Sequence, residues 1–245
     1  MVKQRSRSLF YIAILIFIAL ICLLFFLYSS FFYIDKISIS GTEKVSESEV
    51  LRLSDLSLGT NIFKVNNRLC ARAIEIHPLI KSAQVIRRLP REIKITVEER
   101  KQWALMPYHD NFLVLDEEGV CIDRVINLPA GHYCLITVDK PPEEVNLGHA
   151  IATEGVQMVA EIYQLLPQED EEQISEFHYD SDNNEILIYT LRGSEIKFGN
   201  LERLEEKVAL INQVFQIEEK LEEEGTGVLQ YIDLRFAGQP ALQIK

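Results

Sequence analysis

The sequence predicts an α+β fold in three parts. An N-terminal transmembrane helix comes first, then a small β-α-α-β-β domain, then a larger, mostly antiparallel β domain with two packing helices. Three observations carry this. Residues 9–27 form an uncharged apolar run, residues 36–99 mix period-two segments with two short capped helical ones, and the chain beyond Glu99 is dominated by strands and turns. The expected division is a cytoplasmic tail over 1–8, the membrane helix over 9–33, the small domain over 34–100 and the β domain over 101–245.

The apolar run LFYIAILIFIALICLLFFL spans Leu9 to Leu27, and no charge follows it until Asp35. At about 1.5 Å rise per residue, such a helix crosses a hydrocarbon core of about 30 Å. A cleaved signal peptide has a shorter apolar region and a small-residue cleavage site. Here the run is followed by Tyr28-Ser29-Ser30-Phe31-Phe32-Tyr33, an aromatic interface anchor, so the reading is an uncleaved span. Lys3, Arg5 and Arg7 precede it without an acid, which sets the tail in the cytoplasm and residues 34–245 outside. The whole chain of 245 residues carries net charge -12, and residues 34–245 hold 22 cations against 37 acids. A surface this acidic excludes nucleic acid as a partner. A hydrophobic content of 47% excludes wholesale disorder.

In the small domain, Lys36–Ser40 alternates with Ile37 and Ile39 on one face and ends at Gly41. Ser46 and Glu49 form a capping box that opens a helix through about Leu53, burying Val50 and Leu51. Asn66 or Asn67 caps a second helix with Leu69, Ala73 and Ile76 on its inner face, stopped before Pro78. Two strands follow, Ile80–Arg87 with Ala83 and Val85 inward and Ile93–Val97 with Ile93, Ile95 and Val97 alternating. Leu89-Pro90-Arg91 connects them.

In the larger domain, Phe112–Leu115 and Val120–Ile122 flank the acidic turn Asp116–Gly119 as a hairpin. His132–Val138 is another strand. Thr153 caps a helix carrying Val156, Val159, Ile162, Leu165 and Leu166 on one face, stopped by Pro167; Gln168–Gln173 reads as a solvated acidic loop. Ile174–Tyr179, Ile186–Leu191 and Glu195–Phe198 form a meander. The helix Asn200–Leu221 packs Leu201, Leu204, Val208, Ile211 and Phe215 on a core rather than in a coiled coil. Val228–Phe236 is a strand, and a final strand is expected over Ala241–Ile244.

Chemistry-bearing motifs are sparse. The histidines His77, His109, His132, His149 and His178 lack metal or relay spacing, and there is no nucleophile elbow, phosphate loop or dinucleotide fingerprint. His77 reads as a cap at a helix end. The Glu169–Glu172 and Glu222–Glu224 runs are solvated faces. Cys22 lies in the span, Cys70 reads as a small core residue, and Cys121 with Cys134 pair only if their strands are neighbours. The expectation is a non-catalytic protein with no cofactor, no metal and no small-molecule substrate.

The segment His77–Arg100 carries a family resemblance. Its Pro78-Leu79-Ile80 start, Ala83-Gln84-Val85 strand, Arg87-Arg88-Leu89-Pro90 turn and Val97-Glu98-Glu99-Arg100 end closely resemble the bacterial cell-division proteins FtsQ and DivIB. Ile37-Ser38-Ile39-Ser40-Gly41 and Tyr231-Ile232-Asp233-Leu234-Arg235-Phe236 look like landmarks of the same family. Lys101-Gln102 departs from it, where relatives tend to show proline. The resemblance implies that residues 34–100 form a POTRA domain. It also implies a scaffold of the division machinery that binds the FtsL and FtsB/DivIC type of single-span protein outside the membrane, and so helps control the septal peptidoglycan synthase complex at the division septum. A signalling or receptor ectodomain, or an envelope enzyme, is the alternative.

Candidate site residues follow. Leu9 and Leu27 bound the membrane anchor. Arg87, Arg88 and Arg91 form a basic spot that is either a solvated turn or a recruitment surface. The strand Val228–Phe236 is the candidate docking edge, with Ile232, Leu234 and Phe236 anchored inward and Tyr231, Asp233 and Arg235 outward. Tyr231, Asp233, Arg235 and Phe236 are the expected partner contacts, with the helix Asn200–Leu221 as the other surface.

Overall fold

A computed structural model describes residues 2–128, 133–151 and 154–245. The chain divides into two compact units, one up to Glu99 and one from Arg100 onward. His132 and Thr153, expected to start a strand and cap a helix, lie outside the described residues.

The first unit opens with α1, Val2–Leu27, whose window Phe10–Leu27 is long and apolar enough to cross a membrane. A three-stranded sheet follows, made of β1 (Lys36–Ser40), β2 (Ile80–Arg88) and β3 (Glu92–Glu99) in the order β1-β3-β2. β3 is central, parallel to β1 and antiparallel to β2. Its inward Ile93, Ile95 and Val97 pack with Val50 of α2 (Glu47–Ser54) and Ile74 of α3 (Asn67–Ile74). Ser46 caps α2 by accepting the Glu49 N–H at 3.2 Å, and Asn66 caps α3 through the Leu69 N–H at 3.3 Å. Gly41 ends β1 because a Cβ there would stand 2.0 Å from the Val97 carbonyl oxygen. The Glu99 carboxylate accepts the N–H groups of Glu43, Lys44 and Val45 at 2.8–2.9 Å, closing the loop between β1 and α2.

The inner face of α3 differs from expectation. Leu69 and Ile76 are exposed, and Ile74 and Cys70 face the core instead. The helix capped by Asn66 ends at Ile74, so Ile76 lies beyond the last turn.

The second unit holds a nine-stranded sheet, order β12-β11-β10-β9-β8-β7-β4-β5-β6. Its strands are β4 (Ala104–Tyr108), β5 (Asn111–Leu115), β6 (Cys121–Val125), β7 (Cys134–Val138), β8 (Ile174–Asp180), β9 (Glu185–Thr190), β10 (Glu195–Gly199), β11 (Leu229–Asp233) and β12 (Ala241–Ile244). Most neighbours are antiparallel, but β4–β7, β7–β8 and β10–β11 are parallel. The helices α4 (Glu154–Tyr163) and α6 (Leu204–Glu224) supply Val156, Val159, Ile162, Val208, Ile211 and Phe215 to one core with the inward residues of the sheet. Alternating burial along β8, β9 and β10 marks the covered face.

Several expectations fail here for local reasons. Leu165 is exposed, because α4 ends at Tyr163 and the chain turns before Leu166 buries. The acidic run is not all solvated: α5 (Gln168–Glu171) begins after Pro167, and Asp170 is buried with its Oδ1 accepting the Asn212 amide at 2.9 Å. α6 starts at Leu204 rather than Asn200, since Arg203 adopts a left-handed conformation with φ 52°. Cys121 and Cys134 are free, and two strands, β5 and β4, separate theirs.

Candidate docking edge

The two ends of the large sheet are β6 and β12. Beside β6 the chain itself covers the start of the edge. Cys121 donates to the His149 carbonyl at 3.0 Å and accepts from Gly148 at 2.8 Å, and Val120 bridges Ala150. Arg124 reaches back to the Val145 carbonyl at 3.3 Å.

Beside β12, no described strand or loop takes the outer row of backbone groups. All four residues Ala241, Leu242, Gln243 and Ile244 are exposed, and none is charged. Val228 and Lys245 exchange both of their backbone hydrogen bonds, at 3.0 and 2.9 Å. Strand alternation therefore turns the N–H and C=O of Ile244 and Leu242 toward the open side. Gly227 makes the close approach possible: at φ 144°, a Cβ there would stand 2.7 Å from Ile244 Cγ2. Exposed Val228, Leu242, Ile244 and Phe236 add apolar surface around the edge.

The expected docking strand is placed differently. β11 is internal, between β10 and β12, and ends at Asp233. Ile232 and Leu234 are buried as expected, but Phe236 is 72% exposed, because the chain has left the sheet three residues earlier. Asp233 is buried beside Arg235. The Arg235 guanidinium donates to Asp233 Oδ2 at 2.7 Å and to Glu185 Oε2 at 3.1 Å. Its hydrogen bond holds the Asp233 carboxyl below the usual carboxylate range, and in turn raises Arg235 above an ordinary arginine. Arg203 donates to the Leu234 and Arg235 carbonyls, each at 3.1 Å, so this segment is tied to the start of α6. Tyr231 is half-buried, with the Lys197 ammonium 4.3 Å from its ring centre.

The basic spot of the first unit divides as well. Arg87 donates to the Val65 carbonyl, and Arg91 binds the Tyr33 carbonyl at 3.1 Å and Asp35 at 3.0 Å. Both are part of the domain's own bonding. Arg88 stands across the ladder from Glu92.

His77, His109 and His178 fill structural positions. His77 Nδ1 accepts the Leu79 N–H at 3.2 Å just past α3, and His109 forms the β4–β5 turn at φ 53°. His178 contacts Thr137 Oγ1 at 2.8 Å. Among the described residues, no three His, Cys, Asp or Glu groups gather to hold a metal ion. Lys207 is among the buried charges that sequence reasoning missed. Burial lowers it to about 8, and its Nζ donates to the carbonyls of Phe198, at 2.9 Å, and Asn200.

Two family models match this chain. One is described as POTRA domain, FtsQ-type, over residues 32–100; the other as cell division protein FtsQ/DivIB, C-terminal, over residues 104–235. The cell division protein FtsQ of Myxococcus fulvus is 28% identical over 176 residues, which covers 69% of this chain and 59% of that protein. The cell division protein DivIB of Clostridium tetani is 26% identical over 220 residues, 88% of this chain and 80% of that protein. The major extracytoplasmic domain of DivIB from Geobacillus stearothermophilus matches 51% of this chain and 97% of that domain, at 15% identity and a TM-score of 0.33.

Proposed function

Because the chain belongs to the FtsQ/DivIB family of cell division proteins, we propose that it is a non-catalytic, membrane-anchored scaffold of the division machinery. Its β12 edge binds a strand from another single-span division protein. The observation that carries this reading is the open row of backbone groups on β12, bordered by exposed apolar side chains. A partner strand laid there gains main-chain hydrogen bonds, while Leu242, Ile244 and Phe236 select its side chains. The FtsL and FtsB/DivIC type is the expected partner, and through it the scaffold acts on septal peptidoglycan synthesis. Tyr231 and Arg235 contribute by fixing the strand on which β12 lies.

Lys3, Arg5 and Arg7 place the tail in the cytoplasm and both folded units outside. A reporter that is active only in the cytoplasm, fused after Lys245, is then dark. Co-purification of the ectodomain with the partner pair tests the scaffold reading directly. Loss of that partner on substitution within β12 supports the reading, and undiminished co-purification removes β12 from it.

A further inference from the structure

The first unit brings a turn of the small domain back to the end of the apolar helix. Asn61 is buried, and its Nδ2 donates at 2.9 Å to the carbonyl of Leu27, one of the last-turn groups that α1 itself leaves unpaired. Its Oδ1 accepts the Phe63 N–H at 3.0 Å. Tyr33 bridges Asn61 in antiparallel register, so residues after Asn61 run back toward α1. The rings report the same path: Phe26 lies 5.2 Å from Phe32, and Phe32 lies 5.0 Å from Phe63. The Lys64 ammonium sits 5.9 Å from the Tyr28 ring.

An aromatic residue 36 positions past the helix thus joins the ring cluster at the helix end. That cluster is not closed over. Tyr28 is 57% exposed, Phe31 52% and Phe63 36%. Aromatic rings and a lysine at the end of an apolar span match the headgroup zone, where rings sit at the boundary and an ammonium reaches phosphate.

We propose that the turn Ile62–Lys64 seats in the interfacial zone of the bilayer. Phe63 enters the boundary between headgroup and acyl chain, and Lys64 reaches lipid phosphate. This rests on reading α1 as a membrane span. The contact, with the Asn61 clamp on Leu27, holds the small domain down on the lipid surface instead of leaving it on a free tether.

The test uses the full chain with Trp103→Phe, reconstituted in vesicles of brominated phosphatidylcholine, with one reporter at a time: Phe17→Trp, Phe63→Trp or Ile86→Trp. Phe17→Trp lies in the span and is quenched. Phe63→Trp is quenched by lipids brominated near the headgroup end of the chain, and adding Lys64→Glu weakens that quenching. Ile86→Trp, exposed on β2, stays bright. Lys64→Trp serves as a second reporter should Phe63→Trp fail to fold. A turn reporter as bright as Ile86→Trp, with Phe17→Trp quenched, overturns the proposal and leaves the span intact. A bright Phe17→Trp removes the span and the proposal together.

Discussion

β6 and β12 end the same sheet and meet solvent in opposite ways. β6 carries Asp123 and Arg124 on exposed positions; its first residue, Cys121, is bonded by the backbone of Gly148 and His149, and the Arg124 side chain reaches the Val145 carbonyl. Charges and a covering loop are common protections of a sheet edge against foreign strands. β12 has neither: its four residues are uncharged and exposed, and its outer groups lack a described partner. That contrast is what supports β12 as the proposed docking edge. The difference also separates stability from recognition, because β11 is bonded to β10, and Leu234 just beyond it to Arg203, whether or not β12 is occupied.

The largest effect is expected from removing one outward N–H. Leu242→Pro deletes a group that faces away from β11, so the β11–β12 ladder survives while an added strand loses a hydrogen bond and meets the ring. Affinity for the partner pair, measured by calorimetry, should fall about tenfold or more. Arg124→Ala at the β6 edge should leave that affinity unchanged. Equal losses from both would erase the distinction between the edges.

Next comes Arg235→Ala. Strand alternation makes Arg235 an outward contact of the expected docking strand. Its bonds to Asp233 and Glu185 make it a brace for β11 instead. The side chains are partly exposed, so the cost is about 1 kcal/mol, seen as a melting point lower by a few degrees.

The smallest effect is on acid stability. Asp233 is held below its ordinary value of 3.8 by Arg235, so its contribution is complete above that value. It fades as pH falls through 3.8 toward the depressed folded value. Asp233→Asn should flatten this part of the acid unfolding curve while leaving neutral-pH partner binding in place. An unchanged acid curve would show that the brace is not electrostatic.

Much of this was legible in residues 36–99, where period-two strands, the Ser46 and Asn66 caps and Pro78 all act locally. The strand β4 was not. Pro107 within Ala104–Tyr108 argues against a central strand, yet the parallel pairing to β7 stops at Leu105, so the proline disrupts no ladder on that side. Asp170 and Lys207 were hidden for another reason. Their burial depends on Asn212 and on the Phe198 and Asn200 carbonyls, partners that no local pattern announces. For the sheet edge, the sequence points to Val228–Phe236, whereas the outermost strand is β12. Alternation shows that Val228–Phe236 is a strand, whereas which strand is outermost is decided by whether Ala241–Ile244 folds back onto it.

Whether β12 is the receiving edge can be read from amide hydrogen exchange on the ectodomain with and without the FtsL and FtsB/DivIC-type partner ectodomains. The Leu242 and Ile244 amides should exchange quickly alone and become protected in the complex, while the β6 amides do not change. Protection confined to β6 or to α6, with Leu242 and Ile244 still exchanging freely in the complex, would contradict β12 as the receiving edge.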